Sequence, residues 1–338
     1  MVDKPVILKH LKQQASLIGH MDRLHLLEPS TIFMEFGAGR GKLSHWLQMA
    51  LGNCAKDVDY LLIDRANNRY KYDRYHRGED QGPCFQRLNL DIEHLDLSKV
   101  PCIQNCKRKI VAVSKHLCGA ATDLTLRCLM ETLSTDSGKT SAQDTGMEKN
   151  TDDRENKRQK LAASEGPVKG VTLALCCHHC CSWPQYVGRP FLQNIGFTAE
   201  DFHLLCCLSS WATCGIDVRL KKNLKINAGR TANNSAVNTD SDDWDSDEDN
   251  SDDISMQKAT TQGNTSENEK GKSENCDEDK WSNYTVSERE EIGRQCKRLI
   301  DAGRLWYLES HDFSARLAFY VDSAISLENA VLLATPRT

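Results

Sequence analysis

The chain has no run of about 18 consecutive apolar residues, so no segment of it can cross a bilayer as a helix. The stretch from Met1 to Lys12 has neither the apolar core nor the small-residue cleavage site of a secretory signal. Without export, fifteen cysteines are expected as reduced thiols in the cytoplasm or nucleus rather than as a disulfide framework. Apolar residues are also scarce for a compact chain of 338 residues, at 39%. Internal repeats are absent.

Two polar stretches account for the dilution. Residues 134–168 and 223–279 are rich in Ser, Thr, Asp, Glu and Lys or Asn and have no apolar periodicity, so both are expected as disordered insertions. The first contains Lys157-Arg158-Gln159-Lys160, better read as a solvated linker than as a nuclear-import signal. The second contains Asp242-Asp243-Trp244-Asp245, and from Asp240 to Asp279 it carries 15 acidic residues and 3 lysines. That segment supplies -12 of the formal charge of -5, leaving about +7 on the rest, a balance suited to a polyanionic partner.

What remains alternates strand and helix. Apolar runs suited to buried parallel strands occur at 31–36, 60–64, 85–91, 110–114 and 171–177, and runs at 317–321 and 330–334 suit a closing pair. Leu43, Trp46, Leu47, Ala50 and Leu51 mark one face of a helix after the first strand. Ser287 with Glu290 reads as a capping box opening a late helix, with Ile292, Cys296, Leu299 and Ile300 as its stripe. The expected fold is α/β, a doubly wound, mostly parallel seven-stranded Rossmann-like sheet. Residues 1–30 read as a helical lead-in and 31–338 as the catalytic domain.

The glycine loop Glu35-Phe36-Gly37-Ala38-Gly39-Arg40-Gly41 follows the first strand, where glycines allow a sharp turn and a close approach to a ligand. It lacks the third glycine of the dinucleotide fingerprint, whose place Lys42 takes, and it is not a Walker loop. An acid followed by Gly-x-Gly-x-Gly resembles motif I of Rossmann-like methyltransferases, which implies S-adenosylmethionine as cofactor. Asp64, ending the second strand, suits ribose hydroxyls. Asp91, after the third, suits the adenine amino group or simply a turn. Glu35, Gly37, Gly39, Gly41, Asp64 and Asp91 are therefore the candidate cofactor residues.

The fourth strand ends in Lys115-His116-Leu117-Cys118-Gly119 and lacks the Asn-Pro-Pro-Tyr type of motif that orients an amine acceptor. A hydroxyl acceptor must lose a proton, which Lys115 or His116 can take or whose oxygen either can hold. A lysine that binds phosphate beside a core histidine is the plainer alternative. The fifth strand ends in Cys176-Cys177-His178-His179-Cys180-Cys181, with a CxxC spacing that invites zinc. Consecutive strand residues point to opposite faces, a second ligand pair is missing, and Cys206-Cys207 and Cys214 could contribute only through the fold. Buried thiols with active-site histidines are preferred, and no metal is assigned; Lys115, His116, His178 and His179 are the candidate catalytic residues.

The glycine loop, Lys115-His116-Leu117-Cys118-Gly119-Ala120-Ala121-Thr122-Asp123-Leu124, Cys176-Cys177-His178-His179, and Glu291-Ile292-Gly293 with Cys296-Lys297-Arg298-Leu299-Ile300-Asp301-Ala302-Gly303-Arg304 together resemble one family. It is the tRNA 2′-O-methyltransferases that modify the fourth nucleotide of the acceptor stem. The resemblance implies methyl transfer from S-adenosylmethionine to a ribose 2′-oxygen in tRNAs such as those for glycine, proline and histidine. It implies no membrane and names no protein partner. Such proteins usually carry small Cys/His zinc fingers ahead of the catalytic domain; none precedes Glu35 here, so the chain resembles a shortened or alternative product. Arg40, Lys42, Arg219, Lys221, Lys222 and Arg316 are candidate phosphate contacts. A methyltransferase of protein or small molecules, and a non-catalytic RNA-binding protein, are the competing readings.

Overall fold

The computed structural model describes residues 5–52, 57–68, 71–76, 84–104, 108–136, 167–213 and 283–337. The expected insertions lie almost wholly outside the described residues, as do Lys157, Arg158, Lys160, Arg219, Lys221 and Lys222. Two compact units are distinguished: residues 1–215 with 287–338, and residues 216–286, of which only 283–286 are described.

Seven strands form the sheet: β1 Thr31–Phe36, β2 Asp59–Asp64, β3 Phe85–Asn89, β4 Lys109–Cys118, β5 Val168–Cys176, β6 Phe313–Phe319 and β7 Ala330–Pro336. Their order is β3-β2-β1-β4-β5-β7-β6. The first five run parallel, while β7 pairs antiparallel with both β5 and β6. This is the α/β, mostly parallel sheet expected from the alternating pattern. After β3 the chain returns to the middle of the sheet and lays β4 beside β1. The order therefore reverses between β1 and β4, the position at which open α/β sheets bind ligands beyond the carboxyl ends of their strands.

Side-chain alternation along β1 divides the core. Ile32, Met34 and Phe36 join one apolar cluster, covered by Leu126, Leu129 and Met130 of α3 (Ala120–Asp136). Leu308 of the last helix, Val286–Glu309, packs in the same cluster. Phe33 joins the opposite cluster with Leu17 and Met21 of α1 (Pro5–Arg23) and Leu43, Leu47 and Leu51 of α2 (Lys42–Leu51). Helices therefore cover both faces, the doubly wound arrangement. A third cluster gathers Tyr186, Leu192 of α4 (Arg189–Asn194), Phe202, Leu205 and Cys206 of α5 (Ala199–Ser209), and Cys296 and Ile300 of the last helix, α6. The stripe expected on α6 thus packs as a stripe.

Several boundaries move, for physical reasons. On α2 the buried face is Leu43, Ser44, Leu47 and Leu51, while Trp46 and Ala50 are exposed. Trp46 instead sets its ring edge-on to His45, with centroids 5.2 Å apart. Helix α6 already begins at Val286, so Ser287 lies inside its first turn rather than capping it. Strand β4 continues four residues past Ser114, carrying Lys115 to Cys118 into the sheet, because its neighbour β5 still pairs there. Strand β6 starts at Phe313, earlier than its apolar end suggests, since half its residues face outward. Among the described residues no helix is long and apolar enough to cross a membrane.

Candidate active site

At the switch in strand order the chain leaves β1 through Gly37, Gly39 and Gly41, all left-handed at φ 62°, 51° and 79°. A Cβ on Gly37 would stand 2.7 Å from the carbonyl oxygen of His116, so the loop lies directly against the end of β4. Around Gly39 the space is open: a Cβ there would meet nothing within 4 Å. The backbone there is thus bare and approachable, as close binding of a ligand requires. Several bonds fix the loop. The Gly39 amide donates to Asp64 Oδ2 at 2.7 Å, and the Ala66 amide donates to Asp64 Oδ1 at 2.7 Å. Arg87 of β3 donates to the Gly39 carbonyl at 2.9 Å while its guanidinium also grips the buried Asp73 at 2.9 Å.

Glu35 lies beneath this loop rather than at its surface. It is buried and accepts from the amide of Ser44 at 3.0 Å and from its hydroxyl at 2.5 Å, tying β1 to the first turn of α2. Burial pushes its carboxyl up to about 7, against the lowering effect of the Ser44 bonds and the Arg87 charge. Asp91 follows the end of β3 and caps the short 3-10 turn Ile92–His94 by accepting from the Glu93 amide at 3.1 Å. It is partly exposed, and that bond is the one a turn former makes.

One strand over, β4 and β5 slip register between Ser114 and Leu117, where β4 carries an extra residue. Such a bulge re-aims side chains. Here it lets neighbours in sequence meet: Lys115 Nζ lies 3.0 Å from His116 Nε2 and 2.9 Å from Nδ1 of His10 on α1. Sequence reasoning missed His10. Its signal was present, since His10, Gln13, Gln14, Leu17 and Met21 recur at helical spacing and Gln13 and Gln14 are buried.

The β5 end behaves differently. His178 is 1% exposed and its Nε2 lies 2.8 Å from Asp301 Oδ1 on α6. Arg304, wholly buried, donates to Asp301 at 3.2 Å, to Asp123 of α3 at 2.7 Å, and to the Gly119 carbonyl at 3.3 Å. Burial favours a neutral Asp301, but the charges of His178, Arg304 and Arg298 outweigh it and hold the carboxyl below its usual range. Burial likewise works against the Arg304 charge, yet Asp123, Cys181 and Asp301 raise its pKa. This buried network ties the turns after β4 and β5 to α6. His179, by contrast, is exposed.

The structure therefore brings Gly37, Gly39, Asp64, Lys115 and His116 to one edge and sends His178 into the interior beside it. Of the candidate phosphate contacts, Arg40 and Lys42 flank the Tyr72 ring at 5.5 and 5.7 Å from its centroid. Arg316 stands on β6, at the far edge of the sheet. A cavity of about 270 Å³ among Arg127, Trp183, Tyr186, Arg189 and Tyr307 includes none of the sequence-predicted site residues.

Residues 12–335 match the family described as "Methyltransferase TRM13". The chain is 38% identical over 337 residues to the Mus musculus "tRNA:m(4)X modification enzyme TRM13 homolog", covering 97% of this chain and 64% of that protein. The Homo sapiens protein of the same name is 39% identical, with 97% of this chain and 65% of that protein covered. A Yarrowia lipolytica "tRNA:m(4)X modification enzyme TRM13" is 29% identical, with 96% and 59% covered. The chain thus spans just under two thirds of the length of these mammalian relatives. A crystal structure of a cyclopropane-fatty-acyl-phospholipid synthase-like protein from Lactobacillus casei aligns over 48% of each chain at 15% identity, with a TM-score of 0.26, too slight a likeness to carry an argument.

Two outcomes follow from this geometry. Replacing Arg304 by Met removes the cation paired with buried Asp123 and one of those around Asp301, and should lower unfolding free energy by about 3–5 kcal/mol in urea titrations; an unchanged midpoint would show the network to be inert. Glu35 holds its proton more tightly folded than unfolded. Its contribution is therefore complete below pH about 4.5 and lost as pH rises through about 7. In Glu35→Gln, the loss of stability between pH 4.5 and 8 should shrink by roughly 3 kcal/mol. An identical pH slope in both proteins would contradict the buried-acid assignment.

Proposed function

The chain belongs to the TRM13 methyltransferase family, and on that premise we propose that it transfers a methyl group from S-adenosylmethionine to a ribose 2′-oxygen of tRNA. The proposed acceptor is the fourth nucleotide of the acceptor stem, in tRNAs such as those for glycine, proline and histidine. The observation that carries this reading is the apposition of two features: an open glycine loop with Asp64 at its side, and the bulged Lys115-His116 pair resting on the same loop through Gly37.

The residues present fit the cofactor, because the left-handed backbone at Gly39 faces open space and leaves a ligand free to approach it closely. When bound, S-adenosylmethionine supplies an electrophilic methyl group on a sulfonium. Gly37, Gly39 and Asp64 would hold it, with Gly41, Glu35 and Arg87 keeping the loop in shape from below and Asp91 near the end of β3. Lys115 would orient the acceptor hydroxyl and, in its neutral amine form, take up its proton as the oxygen is methylated, while His116 would contact the substrate. His10 on α1 holds the lysine from the other side. Bringing the ribose oxygen into line supplies much of the rate, since a correctly held pair avoids the entropic cost of encounter. His178 acts through its buried partners as a positioning residue, and exposed His179 contacts RNA at the rim.

An acceptor stem is an A-form helix whose shallow minor groove displays 2′-hydroxyls, so recognition by shape and phosphate contact suffices. Arg40 and Lys42, beside the glycine loop, are the proposed phosphate contacts among the described residues. Residues 31–338 would be the catalytic domain, with α1 completing its site through His10.

The test is mass spectrometry of nucleosides and mapped oligonucleotides after incubating the full chain with a tRNA pool and labelled S-adenosylmethionine. A 2′-O-methyl ribose at the fourth nucleotide is expected. Gly39→Arg should abolish it by filling the cradle, and Lys115→Ala should lower kcat by about 10²–10⁴-fold with cofactor affinity retained. A base methyl would overturn the ribose assignment, and label that stays in protein after RNase treatment would overturn the tRNA assignment. Binding of tRNA without calorimetric binding of the cofactor would overturn the enzyme.

A further inference from the structure

The cysteines of the two strand-end motifs are not used by methyl transfer, yet three of them converge. Cys118 of β4 and Cys176 of β5 are register partners, and their sulfurs lie 3.6 Å apart. Cys177 follows Cys176 and on a regular strand would point to the opposite face. It instead takes the left-handed conformation, φ 50° and ψ 44°, and heads the short 3-10 turn His178–Cys180. That turn ends the strand and brings the third sulfur back, so that all three sulfur atoms lie within 4.8 Å of one another. Left-handed backbone is uncommon at a residue bearing a Cβ and clusters at functional sites.

We propose that Cys118, Cys176 and Cys177 form a thiolate site for a soft divalent cation of the zinc class. The expectation concerned all six residues from Cys176 to Cys181; here only Cys176 and Cys177 of that run meet a third sulfur, because Cys177 leaves the strand and Cys118 joins from the neighbouring one, while His178 turns to Asp301. The 3.6 Å between the Cys118 and Cys176 sulfurs is close to the roughly 3.8 Å edge of a tetrahedral zinc site whose thiolates stand about 2.3 Å from the metal, and the Cys177 sulfur lies within 4.8 Å of both. Cys118 is exposed and Cys176 buried, which gives the ion a path in from solvent and a dry wall behind it.

Binding would exchange protons for the cation, with three S–H bonds broken, three metal–sulfur bonds formed and three protons released to buffer. The fourth position is left to water. An ion here would tie the ends of β4 and β5 together a few residues from Lys115 and beside His178. The proposal is independent of the methyl-transfer reading.

Cobalt(II), which reports thiolate ligation by a near-ultraviolet charge-transfer band, is titrated into the full reduced chain and then displaced with zinc. The band should saturate near one equivalent, disappear in Cys118→Ser and Cys177→Ser, and survive in the double variant Cys84→Ser, Cys207→Ser, whose cysteines are exposed and outside the cluster. Absence of a band, or its persistence in both cluster variants, would overturn the site. If those variants fail to fold, the wild type still decides the matter by alkylation footprinting. Zinc should shield Cys118 and Cys177 from iodoacetamide while leaving Cys84 open, and equal labelling with and without zinc would refute the proposal.

Discussion

Where the strand order reverses, the backbone of Gly37 passes so close to the carbonyl oxygen of His116 that a single added carbon would sit 2.7 Å from it. Much else at this edge depends on that contact. It sets the height of the glycine loop against the end of β4, and so fixes the distance between the bare backbone at Gly39 and the Lys115-His116 bulge. From below, Arg87 joins the Gly39 carbonyl to buried Asp73, and Glu35 joins β1 to α2 through Ser44. From the side, His10 of α1 reaches Lys115. The loop is thus held on three sides and left open on the fourth.

A second constraint holds the rest of the edge still. Arg304 and Asp301 on α6 meet Asp123 on α3 and His178 after β5 without access to water. Buried ion pairs of this kind gain little net stability over apolar packing, but removing one partner is severe. Their effect here is positional: the turns that follow β4 and β5 cannot shift independently. Under the proposed function, that rigidity is what in-line methyl transfer needs, because misplacement by about 1 Å can cost about 10²-fold in rate.

Much of this is legible in the sequence, and the remainder is hidden for identifiable reasons. The sheet and its parallel majority follow from the alternation of apolar runs and helical stripes, and the glycine loop from Glu35 to Gly41 falls where a turn of that composition must. Local patterns do not reveal partners distant in sequence. Asp73, Arg87 and Asp123 look like surface charges until the fold buries them. His10 sits 105 residues from Lys115, and Asp301 sits 123 from His178. The buried stripe on α2 is narrower than its apolar residues suggest, because Trp46 and Ala50 are apolar by type yet lie beside the buried arc. For the thiols the alternation rule itself misleads, since it stops applying once Cys177 turns left-handed.

Under the proposed function, one backbone contact joins the loop that would hold the cofactor to the groups that would handle the acceptor. That dependence is read by calorimetric titration of S-adenosylmethionine into Gly37→Ala alongside the unaltered chain. The added methyl group must push the loop off the His116 carbonyl and adopt a left-handed backbone. Cofactor affinity should therefore fall by at least about tenfold, a loss of roughly 1.4 kcal/mol, with the circular dichroism spectrum unchanged. Equal affinity in the two proteins would mean that the loop's seat on β4 does not govern cofactor binding, and the account built on that contact would be wrong.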